Sequence, residues 1–339
     1  MQPITKDFYQ SVIKNKKNIV ITSHKAPDGD AIGSSLALKI ALEKLGHNVS
    51  VVVPDDFPGF LKWMPFHETI LLYNQEQKEA EEALENADIF FSLDYNDLRR
   101  IGDYGQLVEA KTDLLKVMID HHRDPKPYAN YALSDITASS TCELIFRFLE
   151  LNNLTDLIDK DVASCIYTGL LTDTGSFRFS STTAKTHEIA AFLLNRGAEN
   201  AKIYELIYDN SSIHRLQLLG YAITEKLEYL PEYRTAIISL TEAELKKFHY
   251  QKGDTEGIVN YPLSVKNIVY SIFISEKEGL VKMSMRSKGN FPVNEIASKY
   301  FDGGGHLNAA GAVSNLSVEK TIEKIKSILP EYKDALLAV

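Results

Sequence analysis

Residues 18–34 read NIVITSHKAPDGDAIGS, a short β-branched run that passes through a histidine and two aspartates into a helical stretch. Asn18 to Ser23 has strand length and composition, and Ala31 to Leu45 carries helical periodicity closed by Gly46. A strand feeding a helix through a polar loop is the unit from which parallel sheets are built. The unit recurs downstream. Asn48 to Val53 is a second strand candidate, and Ala87 to Leu93 and Leu114 to Ile119 are further apolar runs, each ending in an acidic residue, Asp94 or Asp120. The expected fold class is α/β, a doubly wound, mainly parallel sheet followed by a smaller α/β domain. Ligands in such sheets bind beyond the carboxyl ends of the strands, where these acidic and histidine residues fall.

From Ser139 to Arg196 the period is helical: Ser139 or Ser140 can cap a helix through Leu149, Asp161 to Leu171 reads as a second, and Ala184 to Asn195 as a third ended by Gly197. These complete a first domain expected over 1–198. Ile203 to Leu230 keeps helical periodicity with polar interruptions, so 199–231 is read as a helical connector. Strand signals resume at Arg234 to Leu240, Asn267 to Ser275 and Leu280 to Arg286, with Glu278-Gly279 as a hairpin turn. A helix from Val293 to Tyr300, a glycine-rich turn and an amphipathic helix from Val318 to Ile328 complete the second domain, 232–339. The active site is expected in the cleft between the two.

The chain has 339 residues, 44% hydrophobic and 24% charged, enough to bury a core in each of two domains. Its net charge of -9 argues against gripping long nucleic acid, an affinity that comes from many Lys and Arg contacts to phosphate. A small anionic substrate is compatible if cations and a few basic residues reverse the charge locally. No stretch approaches the roughly 18 apolar residues of a membrane span, and Met1 to Lys17 has no export signal. The two cysteines, Cys142 and Cys165, sit in apolar helical stretches and indicate neither a disulfide framework nor a thiolate metal site. A cytoplasmic protein is expected, without membrane partners, and a homodimer is left open.

His24, Asp28 and Asp30 can turn toward one point, with Gly29 relieving the backbone between the carboxylates. Alone, Asp-Gly-Asp is also ordinary turn chemistry. Three further positions weigh against that: Asp94, the run Asp120-His121-His122, and Asp173 in TDTGSFRFS. Clustered carboxylates repel one another unless cations compensate them, and two metal ions ~3.5 to 4 Å apart are the usual arrangement for in-line attack at phosphorus. Imidazole with carboxylate suits Mn²⁺ better than thiolate-loving zinc, with Mg²⁺ or Co²⁺ as substitutes. In the second half, backbone amides of Gly303, Gly304 and Gly305 can approach a phosphate, His306 can donate to one, and Arg286 can fork onto another oxygen. The alternative is that three glycines merely make a flexible loop. Arg123 and Arg178 are weaker candidates, and Ser139 or Ser140 can cap a helix, contact phosphate, or both.

Together, His-x-x-x-Asp-x-Asp, the strand-end Asp94, Asp-His-His and Thr-Asp-Thr-Gly resemble the DHH phosphoesterase superfamily. The run Gly303 to His306, continuing to Ala309-Ala310-Gly311, resembles the DHH-associated domain. Length and domain order resemble the nano-RNase and pAp phosphatase branch. Leu307 departs from the pattern, since relatives often carry proline there. The resemblance implies that His24 and Asp28 hold one ion, Asp30 and His121 the other, that Asp94 bridges them, and that Asp173 is a further ligand. Asp120 would orient the histidines, and His122 would face the substrate phosphate as the catalytic histidine. It also implies the substrates: very short oligoribonucleotides, yielding mononucleotides, and pAp, yielding AMP. Cyclic or linear dinucleotides, or polyphosphate, are the alternatives among enzymes, and a nucleotide-sensing module is the non-enzymatic one.

Overall fold

The apolar runs of the first half are buried on both sides, as a parallel sheet covered by helices requires. A computed structural model of the chain describes residues 1–209, 212–251 and 253–339. Contacts divide it into two units, Met1–Asn210 and Ser211–Val339. In the first, β1 (Gln2–Pro3), β2 (Asn18–Thr22), β3 (Asn48–Val53), β4 (Leu71–Leu72), β5 (Ile89–Leu93), β6 (Leu115–Asp120) and β7 (Tyr131–Ser134) form one sheet in the order β1-β7-β6-β5-β2-β3-β4. Every neighbouring pair is parallel. Side chains alternate between two cores: Ile19, Ile21, Phe91, Val117 and Ile119 join one, and Val20 and Phe90 the other.

The chain winds from β2 toward one edge and from β5 toward the other, so the reversal of strand order falls between these central neighbours. A crevice opens outside the carboxyl ends of strands at such a switch point. The helix after β2, Gly29–Lys44, is buried from Gly29 through Leu42 and packs on the helix Lys160–Asp173. Gly33 makes that approach possible, because a Cβ there would lie 2.5 Å from the carbonyl oxygen of Cys165. Both cysteines are buried and free. Among the described residues no helix is long and apolar enough to cross a membrane.

The stretch 199–231 is shared between the units. The helix Asn200–Tyr208 belongs to the first and Ile213–Thr224 to the second, while residues 210 and 211 lie outside the described residues. Leu227–Leu230, read from sequence as the tail of a helix, is instead strand β8, an edge strand antiparallel to β9 (Thr235–Leu240). Four residues are too few to show a period, and the partner strand decides the conformation. β10 (Tyr270–Lys277), β11 (Leu280–Ser287), β12 (Asp302–His306) and β13 (Ala309–Ser314) complete a six-stranded sheet in the order β12-β13-β11-β10-β9-β8, in which only β9 and β10 pair in parallel. Glu278 and Gly279 have φ of 52° and 75°, the signature of a two-residue type I′ hairpin turn.

The glycine-rich turn expected at 303–305 is not a turn. Gly303, Gly304 and Gly305 form β12, paired with Ala312, Gly311 and Ala310 of β13. Glycine alone reads as a chain break, but small partners on the facing strand let the two backbones close on each other. A Cβ on Gly303 would meet the Gly311 oxygen at 2.4 Å, and one on Gly305 the Ala309 oxygen at 2.4 Å.

Gly33→Ala is expected to lower the urea unfolding midpoint of the first unit by an amount equivalent to about 1–3 kcal/mol, the usual cost of overpacking. Gly220→Ala, at an exposed helical position where a Cβ meets nothing within 4 Å, should instead stabilise by up to about 1 kcal/mol. An unchanged midpoint for Gly33→Ala would contradict the close helix approach.

Candidate functional site

β2, β5 and β6 end at Thr22, Leu93 and Asp120, so parallel pairing delivers His24, Asp94 and Asp120 to the same end of the sheet. Asp28 caps the Gly29–Lys44 helix, with its Oδ1 accepting from the amides of Asp30 and Ala31 at 3.0 Å each. Its Oδ2 faces His24 Nε2 at 4.0 Å. Asp30 lies in the first turn of the same helix and is buried. Asp173 is the last residue of the Lys160–Asp173 helix rather than part of the loop after it.

Asp94 stands at the centre. Its φ of 64° lies in the left-handed region, which is costly for a residue with a Cβ and is held here by the surrounding structure. Asp94 Oδ2 is 3.3 Å from His24 Nε2, and Oδ1 is 3.5 Å from His121 Nε2. Two donor triads therefore share this one carboxylate: His24, Asp28 and Asp94, and Asp30, Asp94 and His121. Asp173 Oδ2 sits 3.4 Å from His121 Nε2, on the side of the second triad. A third grouping, Asp94, Asp120 and His122, is a hydrogen-bonded set, because Asp120 accepts from the His122 backbone amide at 3.0 Å and contacts its Nδ1 at 2.8 Å.

The donor set suits divalent cations. His24 and His121 both turn Nε2 toward the carboxylates and Nδ1 toward a backbone carbonyl, Lys25 O at 2.9 Å and Ala138 O at 3.4 Å, which is how ligating histidines are oriented. Asp120 thus orients His122, and the Ala138 carbonyl faces His121 Nδ1. The electrostatics agree. Burial would pull the His24 imidazole down, but hydrogen bonding to Asp94 and the charges of Asp28 and Asp94 lift it to about 9. Burial is likewise overridden at His121, which Asp94, Asp173 and Asp30 hold well above the ordinary imidazole range. Burial and then the Asp94 charge push Asp30 up to about 7, and burial foremost pushes Asp173 well above the usual carboxylate range. Asp94 itself is held well below that range, since hydrogen bonds from His121 and His24 outweigh its burial. Together these shifts mark an excess of negative charge that divalent cations would compensate.

In the second unit, Arg286 of β11 pairs with Ala309 of β13, and Ala309 pairs with His306 of β12. Directly opposed residues share a face, so Arg286 and His306 flank the small Ala309 side chain in one cross-strand row. Gly304, Gly311 and Ser284 form the next row on that face, and a Cβ on Gly304 would meet open space. The other face is apolar, with Met283, Met285, Ala310 and Ala312 in the core.

The remaining sequence candidates are less central. Ser139, expected beside the substrate, is 1% exposed and donates its hydroxyl to Glu143 Oε2 at 2.5 Å; Ser140 is the residue that caps the helix Thr141–Leu151. Arg123 is exposed, and Arg178 donates from Nε to the Gly175 carbonyl at 2.9 Å. Sequence reasoning missed Thr141, whose hydroxyl donates to Asp94 Oδ1 at 3.0 Å. Its only signal was its place directly after a capping serine.

The model of the DHH family, N-terminal domain, matches residues 18–170, and that of the DHHA1 domain matches residues 236–335. The chain is 29% identical over 318 residues to the bifunctional oligoribonuclease and PAP phosphatase NrnA of Thermus thermophilus, covering 92% of this chain and 89% of that protein. It is 30% identical over 320 residues to a probable bifunctional oligoribonuclease and PAP phosphatase NrnA of Streptococcus mutans, covering 94% and 96%. An exopolyphosphatase-related protein from Bacteroides fragilis, solved by crystallography, superposes with a TM-score of 0.94 at 41% identity over 98% of this chain and 97% of that one.

Asp94→Asn is expected to leave the fold intact and to bind fewer divalent ions than the wild type, measured by elemental analysis after gel filtration in Mn²⁺. Two ions retained per chain would sink the shared-carboxylate arrangement. Asp120→Asn should keep its ions but lower turnover, because it removes the carboxylate that fixes the His122 ring through Nδ1.

Proposed function

The chain belongs to the DHH superfamily, in the branch of the NrnA proteins, and is a phosphoesterase; from that premise we propose that it hydrolyses very short oligoribonucleotides to mononucleotides and pAp to AMP. The observation that carries the reading is Asp94, one carboxylate shared by two donor triads. His24, Asp28 and Asp94 would hold one divalent ion, and Asp30, Asp94 and His121 the other, with Asp173 as a further ligand beside His121. Manganese suits this donor set, with magnesium or cobalt as substitutes. When bound, such a pair acidifies a water and compensates charge developing at phosphorus.

The chain's own groups do the rest. Asp120 fixes the His122 ring through Nδ1 at 2.8 Å, so a contact of His122 with a phosphate oxygen is made through Nε2. The row of Arg286, Ala309 and His306, with Gly304 beside it, would hold a second phosphate: guanidinium and imidazole donate, and the small residues leave room for the anion. Each substrate is a small phosphate-bearing anion, the kind of group that guanidinium and imidazole donors recognise. The net charge of -9 works against a long strand, because phosphates beyond the site would meet unfavourable potential.

Turnover per molecule is expected to fall steeply as RNA grows beyond a few nucleotides, tested with 5′-labelled RNAs from two to about twenty nucleotides, a range spanning the site sizes of single-strand-binding folds. A flat or rising profile would reveal an extended strand-binding surface and overturn the short-substrate reading. A parallel Mn²⁺ assay with pAp, a cyclic dinucleotide and polyphosphate decides among substrates; cleavage of only the last two would replace the proposal.

A further inference from the structure

The helix Thr141–Leu151 starts where the carboxylates converge, and each of its leading amides has a partner. The amide of Thr141 donates to Asp30 Oδ2 at 2.6 Å and that of Cys142 to Asp30 Oδ1 at 2.8 Å. The Glu143 amide is capped by Ser140 Oγ at 3.0 Å, and the Leu144 amide reaches the Ser140 carbonyl at 3.4 Å. Two of the amides that a helix leaves unpaired are therefore spent on one carboxylate, at the end where the helix dipole favours negative charge. Thr141 adds its side chain. Its hydroxyl donates to Asp94 Oδ1, the oxygen that also faces His121 Nε2, whereas Asp94 Oδ2 faces His24. Thr141 is fully buried, so water does not compete for that bond.

One residue thus grips two carboxylates, Asp30 and Asp94, through separate groups. Both belong to the triad completed by His121, and the oxygen of Asp94 that Thr141 holds is the one turned to that triad. Among the described residues, the hydrogen bonds that Thr141 donates go to Asp30 and Asp94 and not to His24 or Asp28, which complete the other. We propose that Thr141 is a positioning residue for one of the two ion sites: it orients the Asp30 and Asp94 oxygens toward the His121 position and leaves the His24–Asp28 position to assemble on its own. The inference rests on the two-ion reading given under Proposed function and adds an asymmetry that reading does not contain.

The test is calorimetric titration of the metal-stripped full-length protein with Mn²⁺, with the electron paramagnetic resonance spectrum of a spin-coupled manganese pair as a second readout. Thr141→Val should bind one ion as the wild type does and the other at least tenfold more weakly, within the about 10–100-fold effect of residues that orient metal ligands. The coupled-pair signal should then require higher Mn²⁺. Thr141→Ser, which keeps the hydroxyl, should restore both steps, and Thr141→Ala should repeat the loss if valine does not fit. Wild-type binding of both ions in Thr141→Val and Thr141→Ala overturns the proposal. So does equal weakening of both steps, or a Thr141→Ser variant as weak as Thr141→Val. Asp94→Asn, titrated alongside, separates the two claims: if it too binds both ions normally, the two-ion reading itself fails.

Discussion

Asp28, Asp30, Asp94 and Asp173 bring four carboxylates to one end of a sheet, two of them almost fully buried, and like charges at that spacing cannot coexist without positive charge among them. Everything near them answers to that constraint. His24 and His121 supply imidazole nitrogens between the carboxylates, helix amides neutralise Asp30, and the unusual backbone of Asp94 aims one carboxylate at two histidines. What these groups do not neutralise is the charge that divalent cations would compensate.

The fold supplies this arrangement from parts with no chemistry of their own. Parallel pairing of β2, β5 and β6 brings three strand ends into line, and the winding reverses between β2 and β5, the kind of switch point beyond which ligands bind in open α/β sheets. The Gly29–Lys44 helix carries Asp28 at its cap and Asp30 in its first turn, so its start decides where both point. Gly33 and Gly169 let neighbouring elements close in; a Cβ on Gly169 would lie 2.6 Å from Asp30 Oδ1. Packing and site geometry are therefore coupled through the same few positions. In the second unit, pairing register rather than loop flexibility puts Arg286 and His306 in one row.

Much of this was legible in the residue order. Continuous apolar runs ending in Asp94 and Asp120 announced buried parallel strands, and the bounds of the helices Val293–Tyr300, Val318–Ile328 and Ala184–Asn195 follow from their periodicity. Charge repulsion among Asp28, Asp30, Asp94 and Asp173 could be inferred before their distances were known, because residue type alone carries the need for compensation. Errors came where conformation depends on a distant partner. Leu227–Leu230 and Gly303–Gly305 are strands only because β9 and β13 lie beside them, and nothing local distinguishes them from a helix tail or a turn.

By itself, the sequence determined which chemistry was possible: imidazoles and carboxylates after strands, glycines where backbones must approach, and an acidic balance that disfavours long polyanions. Only the tertiary structure decided how those groups are shared. That Asp94 serves two triads, that the Ala138 carbonyl faces His121, and that Thr141 joins Asp30 to Asp94 are all relations between residues far apart in the chain. The physical reason is range. Propensity and periodicity act over a few residues, whereas hydrogen bonds and charge interactions act over a few ångströms, and only folding brings residues 30, 94, 121, 141 and 173 within that distance of one another.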